Sequence, residues 1–430
     1  MKILVSAASC SPYRGSEPSI GWKVALNLSL KHEVHVVLLA GYEPEINRAH
    51  QEGLIPSSLH FHFIGPNWET PPSPQREKAF WWKCYRSFLA QLPATVRRLH
   101  AEQPFDLIHH VTFATWRLPV PLYDMGIPFV WGPVGGAEKF PPGLLGILSP
   151  KAMLFELVRY AGNAVGRLSP GLRTMIRRTD AVIASNPDAF ELLEKMRGTP
   201  KGIHSLLVTS FTAKEREALG SAEKPPRRDE RFLHAFASGA LEGRKGVSLA
   251  LDAIALAKKQ GLRIRYRVGS HGPEIGHLRE QAKKLGLEEE VIFGEPMPRE
   301  GYVRELLESD IYLLPSLRDN APSTLMEAML AGCVPLVAAC GGPDVIVSDD
   351  CGYRVPVGSR SRLVEGVAKA LLELQADPAR MRVLGAKARE RILRNYTIES
   401  YMESTERIYA EVLRSRSAPG GSVACGTVLP

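Results

Sequence analysis

Several things are missing from this 430-residue sequence, and each absence narrows what the chain can do. It has no run of about 18 apolar residues, which argues against a membrane-spanning helix. Its start, MKILVSAAS, carries one lysine and a short apolar stretch. No small-residue cleavage site follows, so it reads as a first β-strand rather than a secretion signal. Six cysteines (Cys10, Cys84, Cys333, Cys340, Cys351, Cys425) lie far apart, with no CxxC and no Cys/His pair at metal-ligand spacing. Reduced, buried or incidental thiols of a cytosolic protein are the expectation. No GxGxxG follows the first strand, which disfavours an NAD-dependent dehydrogenase. The formal net charge is +8, but no zinc finger, helix-turn-helix or RNA-binding signature accompanies it, so no nucleic-acid partner is expected. An anionic substrate or an anionic membrane surface suits the same charge.

What is present is a repeated alternation. The chain is too long for one hydrophobic core, and two domains of about 200 residues are the natural first division. MKILVSA, HEVHVVLLA, LHFHFIG, FDLIHHV, IPFVWG and TDAVIAS are short, nearly continuous apolar runs, as expected of parallel strands buried on both faces. Helical stretches around 19–31, 76–101 and 187–197 separate some of them. A polar, charged stretch with Pro225-Pro226, about 212–230, reads as a linker. The alternation then resumes with FLHAFAS, IRYRVGS, VIFGE, DIYLLPS and VPLVAAC, interleaved with helices 247–260, 275–286, 301–309 and 323–331. The expected fold class is α/β, with two Rossmann-like doubly wound domains facing each other across a cleft. Their spans are 1–215 and 230–395. A helix over 396–414 is expected to return to the first domain, and 415–430 to be a disordered tail.

The most informative stretch is PSLRDNAPSTLMEAMLAGCVPLVA, residues 315–338. A strand ends at Pro315-Ser316, a polar loop follows, and a helix begins near Ser323, a good N-cap type. Ligands of doubly wound sheets sit at the carboxyl ends of the strands, and free N–H groups at Ser323 and Thr324 would favour a phosphate. Asp319 in the loop and Glu327 on the helix offer carboxylates to sugar and ribose hydroxyls. Read without context, they are a surface acid and a helix acid.

This stretch resembles the retaining glycosyltransferases of the GT-B fold, family-4 type (glycosyl transferases group 1). The likeness rests on Pro315, Ser316, Asp319, Glu327, Ala328, Met329, Gly332 and Pro335. It implies that Glu327 binds the ribose of a nucleotide sugar and that Asp319, where Glu is usual, contacts the donor sugar. In SGALEGRKGVSLALDAI (238–254) the resemblance puts Lys245 on the donor diphosphate, while the usual arginine position holds Ala240. Arg244, beside Lys245, could supply the missing charge. The segment through VIFGEPMP resembles the family's base cradle, placing backbone near Gly294 and Met297 against the nucleobase. CSPYRGSEPSIGW resembles a Gly-Gly-x-Glu loop with Gly15 on its second glycine, a place for close approach to donor or acceptor. WGPVGGAEKF offers a second flexible turn, Gly135-Gly136, followed by Glu138. FDLIHHVTFATW fills the slot of an Asp-x-x-His-x-His strand end, matching His109, which the resemblance makes a catalytic candidate, but placing Val111 at the second histidine.

No Asp-x-Asp occurs in the sequence, so no carboxylate-held metal is expected at the diphosphate, and no cofactor beyond the donor itself. Fixed cations and helix N-termini would neutralise the leaving group. Two basic stretches, 76–99 with Trp81, Trp82, Tyr85 and Phe88, and 149–178, suit either a peripheral anionic membrane contact or core-packed helices with a solvated basic face. The resemblance thus implies transfer of a sugar, with retention, to a saccharide or lipid-linked saccharide; the thiols and basic stretches suit the cytoplasm or the inner membrane surface. The alternatives are a catalytically weak sugar-nucleotide-binding subunit and a nucleotide-sugar epimerase of the same fold.

Overall fold

The computed structural model describes residues 1–15, 17–67, 77–207, 211–220, 229, 231–295 and 297–417. Most of the expected linker and the stretch beyond 417 lie outside them. The strands form two parallel sheets. The first comprises β1 (Lys2–Ala7), β2 (Glu33–Leu39), β3 (Leu59–Ile64), β4 (Leu107–Thr112), β5 (Phe129–Val134), β6 (Ala181–Ala184) and β7 (Ile203–Ser205), in the order β3-β2-β1-β4-β5-β6-β7. The second comprises β8 (Leu233–Ala237), β9 (Ile264–Gly269), β10 (Val291–Gly294), β11 (Ile311–Leu313), β12 (Val334–Ala338) and β13 (Tyr353–Val355), in the order β10-β9-β8-β11-β12-β13. Each order reverses beside its first strand, the arrangement of a doubly wound Rossmann sheet. The apolar runs explain the strands: β4 and β5 are buried throughout, so both faces need apolar or internally satisfied side chains.

The chain divides into two compact units, Met1–Ala137 with Asn163–Val208 and Ile398–Pro430, and Glu138–Gly162 with Thr209–Thr397. In the first unit the helix Ile398–Ser417 packs on the helix Glu17–Ser29. Tyr401, Ile408, Tyr409 and Val412 recur at helical spacing and are buried there. Arg416 fastens its end to Asp180 through two bonds of 2.8 and 2.9 Å.

Two features differ from the sequence reading. The expected linker opens with a helix, Ala213–Gly220. Thr212 and Glu215 form a capping box: the Thr212 N–H and hydroxyl both donate to the Glu215 carboxylate at 2.8 Å. Residues 138–162, expected in the first domain, belong to the second unit. Their polar side chains find partners there: Ser149 donates to Glu274 at 3.0 Å, and Glu156 pairs with Arg318 at 2.7 Å. The basic stretch 149–178 is two helices, Pro150–Leu168 and Pro170–Arg178, broken where Ser169 caps the second and Pro170 opens it.

Gly246, between β8 and the helix Val247–Lys258, has φ of 72°, and a Cβ there would lie 2.0 Å from the Pro315 carbonyl oxygen. Gly246→Ala therefore meets both left-handed strain and a backbone clash. It should cost at least about 2 kcal/mol, roughly 4 °C in melting temperature for a domain of this size. A melting temperature equal to the parent's would show that the two loops do not need this approach.

Candidate functional site

In the second unit the order of the sheet reverses between β8 and β11, and the loops leaving these two strands meet. Leu317 donates its N–H to the Arg244 carbonyl at 2.8 Å, so the loops are joined through the backbone. Lys245 lies in a single 3-10 turn, Gly243–Lys245, and is buried. Its Nζ donates to Asp319 Oδ2 at 2.5 Å, and Ser316 Oγ donates to the same oxygen at 3.3 Å. Gly239, with φ of 121°, passes beneath: a Cβ there would stand 4.0 Å from the Lys245 ammonium. Arg244 is held by Glu242 at 2.5 Å, donates to the Arg318 carbonyl at 2.8 Å, and lies 3.6 Å from Asp319. Lys245, Arg244 and Asp319 are thus brought together, as a paired constellation whose charges nearly cancel.

Sequence reasoning missed two parts of this surrounding. Arg318 binds the buried Glu156 through Nε and Nη2 at 2.9 and 2.7 Å, and Arg159 reaches the same carboxylate at 3.3 Å. Burial, then the Arg159 charge, lowers the Arg318 affinity for its proton. Gly341-Gly342 follows β12, and a Cβ on Gly342 would fall 1.4 Å from the Asn320 carbonyl oxygen. Only glycine lets that backbone close over the Asp319 loop, where Gly342 N–H donates to the Asp319 carbonyl at 3.0 Å. The Gly341-Gly342 pair was visible in the sequence; the Glu156 partner of Arg318, 162 residues away, was not.

The helix Ser323–Leu330 carries the second carboxylate. Glu327 is largely buried and accepts from Arg299 Nη1 at 2.6 Å and from the Tyr302 hydroxyl at 2.7 Å. Arg299 and Tyr302 sit three apart on the helix Arg299–Glu308, so one face presents both donors. Burial, followed by the Glu327 charge, raises the Tyr302 hydroxyl well above its ordinary range and keeps it a donor. Thr324, one turn before Glu327, meets the Tyr312 hydroxyl at 2.7 Å, and that hydroxyl also reaches the Ser238 carbonyl at 2.9 Å. The Ser323 cap is a correction. Pro322 holds the N-cap position with extended backbone, no side chain caps the helix, and Ser323 is its exposed first residue. Gly294 ends β10, with Arg267 Nη2 3.1 Å from where its Cβ would be. Met297 packs toward Gly269, whose Cβ position lies 3.1 Å from the methionine methyl and 2.9 Å from the Phe236 ring. Phe236 meets Tyr302 edge-on at 5.9 Å, so an apolar wall adjoins the Glu327 donors.

In the first unit Gly15 is exposed between β1 and the next helix, and a Cβ there would meet nothing within 4 Å. The fold does not itself require glycine at that point. Gly136 has φ of 85°, and its carbonyl accepts from Arg117 Nη2 at 2.8 Å. Glu138, in the second unit, is buried 3.9 Å from Arg159. His109 is a correction to the expected catalytic role. It is fully buried in β4, with Nδ1 2.6 Å from the Tyr409 hydroxyl and Nε2 2.8 Å from the Gly132 carbonyl. Both nitrogens are committed to the core, and burial pushes its pKa down to about 4. His110 is likewise held, by Ser6 at 2.9 Å and Tyr85 at 3.1 Å. Neither ring offers a nitrogen to a substrate.

Residues 221–391, which lie in the second unit, match the family model described as glycosyl transferases group 1. The two parallel doubly wound sheets are the fold of GT-B glycosyltransferases. The N-acetyl-alpha-D-glucosaminyl L-malate synthase of Bacillus anthracis is 34% identical over 145 residues, 33% of this chain and 36% of that protein. The putative colanic acid biosynthesis glycosyltransferase WcaL of Escherichia coli is 28% identical over 243 residues, 54% of this chain and 58% of the relative. The matches therefore span well under two thirds of either curated relative. Anabaena Alr3699/HepE, solved in complex with UDP and glucose, has a TM-score of 0.57 at 15% identity, covering 95% of this chain and 99% of that one.

Glu17, the acid that closes the Gly-Gly-x-Glu pattern after Gly15, received no role of its own in the sequence reading. Glu17 accepts from the Ala114 N–H at 2.8 Å, and burial raises its pKa from 4.5 to about 7. The folded chain keeps this proton to higher pH than the unfolded chain does. Its contribution is therefore whole below about pH 4.5 and is lost as pH rises through 7. His109 and His110, depressed by burial, act oppositely and favour the fold above their unfolded pKa. Comparing the parent with Glu17→Gln isolates the acid: the variant should gain stability relative to the parent between pH 5 and 8, in chemical unfolding. Identical pH slopes would mean that Glu17 is solvated like a surface acid.

Proposed function

We propose that the chain is a retaining glycosyltransferase that moves a sugar from a nucleotide donor to a saccharide or lipid-linked saccharide acceptor. The reading rests first on the meeting of Lys245 and Asp319 at the point where the second sheet reverses, one loop away from Glu327. In it the donor ribose takes the Glu327 carboxylate, whose two oxygens are already oriented by Arg299 and Tyr302. The diphosphate replaces Asp319 as partner of Lys245, and Asp319, released, accepts from the donor sugar's hydroxyls. Breaking the bond from the anomeric carbon to the diphosphate leaves its electron pair on the phosphate oxygen. Lys245 and Arg244 meet that charge without a metal, Arg244 standing in for the guanidinium that Ala240 lacks. Met297 and the backbone at Gly294 form the side for the base, and Ser323 and Thr324 open the helix toward phosphate. The resemblance also assigns Gly15 to the donor, through close backbone approach. That the Escherichia coli relative is named a putative glycosyltransferase, and that one neighbour was solved with UDP, supports this class of donor.

The tests separate binding from chemistry. Glu327→Ala should weaken nucleotide binding at least tenfold while the chain still folds, since a charge-assisted hydrogen bond contributes about 1.5–3 kcal/mol. Lys245→Ala and Arg244→Ala should each lower turnover by about 10²–10³, with Ala240→Arg partly rescuing the latter, and turnover should persist in excess EDTA. Normal turnover in both cation variants would overturn the assignment. A parent protein that binds nucleotide but never releases or transfers sugar is instead a sugar-nucleotide-binding subunit, the reading that Ala240 favours.

We also propose a peripheral contact with an anionic membrane, at a cytoplasmic surface, through the helix Pro150–Leu168. This helix is inverted. Glu156 and Asn163 face inward, while Leu154, Val158, Val165 and Leu168 are 62–71% exposed. Phe155 and Leu157 add to the exposed apolar surface, and Lys151 and Arg167 stand exposed on the same helix. Water is a poor solvent for that face; each such side chain is favoured in an apolar medium by roughly 1.5–3 kcal/mol. The basic ends suit acidic headgroups. No helix among the described residues is long and apolar enough to cross a membrane, so contact would be lateral. Leu154→Asp with Val158→Asp should abolish sedimentation with phosphatidylglycerol vesicles while leaving nucleotide affinity intact, and salt should release the parent. Equal binding of parent and variant would remove this helix from the contact.

A further inference from the structure

The edge of the first sheet gathers ligand-type side chains that the donor reading leaves unused. β2 contributes Glu33 and His35; the neighbouring edge strand β3 contributes His60 and His62. The register pairs His35 with His60 and Val37 with His62, so alternation puts Glu33, His35, His60 and His62 on one face. His35 Nε2 lies 3.2 Å from Glu33 Oε1, and the rings of His35 and His60 stack with centroids 4.6 Å apart. Glu33, His35 and His60 each offer one ligand atom, all within 4.8 Å of one another. His35 is buried, while Glu33 is half-buried and His60 exposed, so the group is anchored at one end and open to solvent at the other.

We propose that Glu33, His35 and His60 bind a divalent transition-metal ion such as Zn²⁺. Two imidazoles and a carboxylate are a donor set suited to zinc, at about 2.0–2.2 Å per bond. The 3.2 Å separation of His35 Nε2 and Glu33 Oε1 already matches two corners of a tetrahedron of that size. The remaining adjustment falls on His60, the exposed and least constrained member. His35 Nδ1 stands 3.0 Å from His62 Nε2. His35 can therefore donate there and leave Nε2 for the ion, the outer bond that fixes a metal-binding tautomer. Gln103 Nε2, also 3.1 Å from Nδ1, must turn aside or share that position. Lys2 Nζ, 3.1 Å from Glu33 Oε1, now meets the carboxylate's charge and would be exchanged for the ion. A bound ion would cross-link edge strand β3 to β2, fastening a strand that among the described residues has one neighbour. Glu33 and His60 lie at the amino ends of their strands, opposite to the carboxyl ends where doubly wound sheets hold their ligands. The proposed ion is thus structural or regulatory and separate from the donor diphosphate.

The test uses the untagged full chain, stripped with chelator and titrated with Co²⁺. One equivalent should bind with the visible absorption of a low-symmetry nitrogen and oxygen site, and Zn²⁺ should displace it. Zn²⁺ should also raise the melting temperature, because an ion that binds only the folded chain stabilises it. His60→Ala, at an exposed position, should fold and lose at least tenfold in affinity; His62→Phe should weaken binding about 10- to 100-fold by freeing the His35 ring. No Co²⁺ spectrum and no Zn²⁺ shift would overturn the site. Full binding in His60→Ala, or binding lost in Glu327→Ala, would overturn its placement.

Discussion

The contact between Lys245 and Asp319 is the constraint around which the second unit is arranged. A lysine buried this deeply needs a counter-charge, because an unpaired ammonium away from water is costly. Asp319 provides it only because its loop is fixed on three sides: by Ser316 on the carboxylate, by Gly342 closing on its carbonyl, and by Leu317 bonded to Arg244. The loop from β8 reaches that position because Gly246 turns through a conformation other residues resist, against the Pro315 carbonyl. Two loops from adjacent strands thus hold opposite charges at one spot. A site of this kind is organised before any anion arrives, and a diphosphate entering it would exchange one anionic partner for another. That exchange leaves the lysine never uncompensated, which is the condition under which a buried cation is tolerable.

The strands were legible because parallel strands buried on both faces must be written as nearly continuous apolar runs, as ILVSA and VHVVLL are. The Lys245 and Asp319 loops were legible because each motif is local, a few residues between a strand and a helix. Partners across the chain were not. Nothing in the neighbourhood of Glu327 announces Arg299 and Tyr302, which arrive from a different helix with matching spacing. His109 illustrates the reverse error. A histidine near a strand's end reads as a ligand, but the strand runs on to Thr112 and the ring is absorbed by Tyr409, 300 residues downstream. Ser323 missed its cap by one position, since Pro322 already satisfies the extended backbone that a cap requires.

The basic stretch 149–178 shows a different limit. Composition and spacing reveal that a helix is amphipathic, and convention then points the apolar face inward. In Pro150–Leu168 the inward face is the polar one. Glu156 is drawn in by Arg318 and Arg159, and Asn163 accepts from Arg117 at 2.8 Å. Which face of such a helix is buried depends on whether distant guanidiniums need a buried acceptor, a fact written 162 residues away in the case of Arg318.

That inversion ties the helix to the charges beside the loops that leave β8 and β11. Arg318 lies next in sequence to Asp319, and its carbonyl receives a hydrogen bond from Arg244, so the residue that draws Glu156 inward also supports the cation turn. Without the Glu156 carboxylate, Arg318 and Arg159 would face one another with too little negative charge to offset burial. The helix would then keep only the Asn163 bond to Arg117 to turn its polar side in. One buried acid therefore balances the guanidiniums near the Asp319 loop and fixes the orientation of the helix proposed to meet the membrane. The coupling is electrostatic at its root: a buried carboxylate that neutralises a cation also decides which surface the protein leaves to its surroundings.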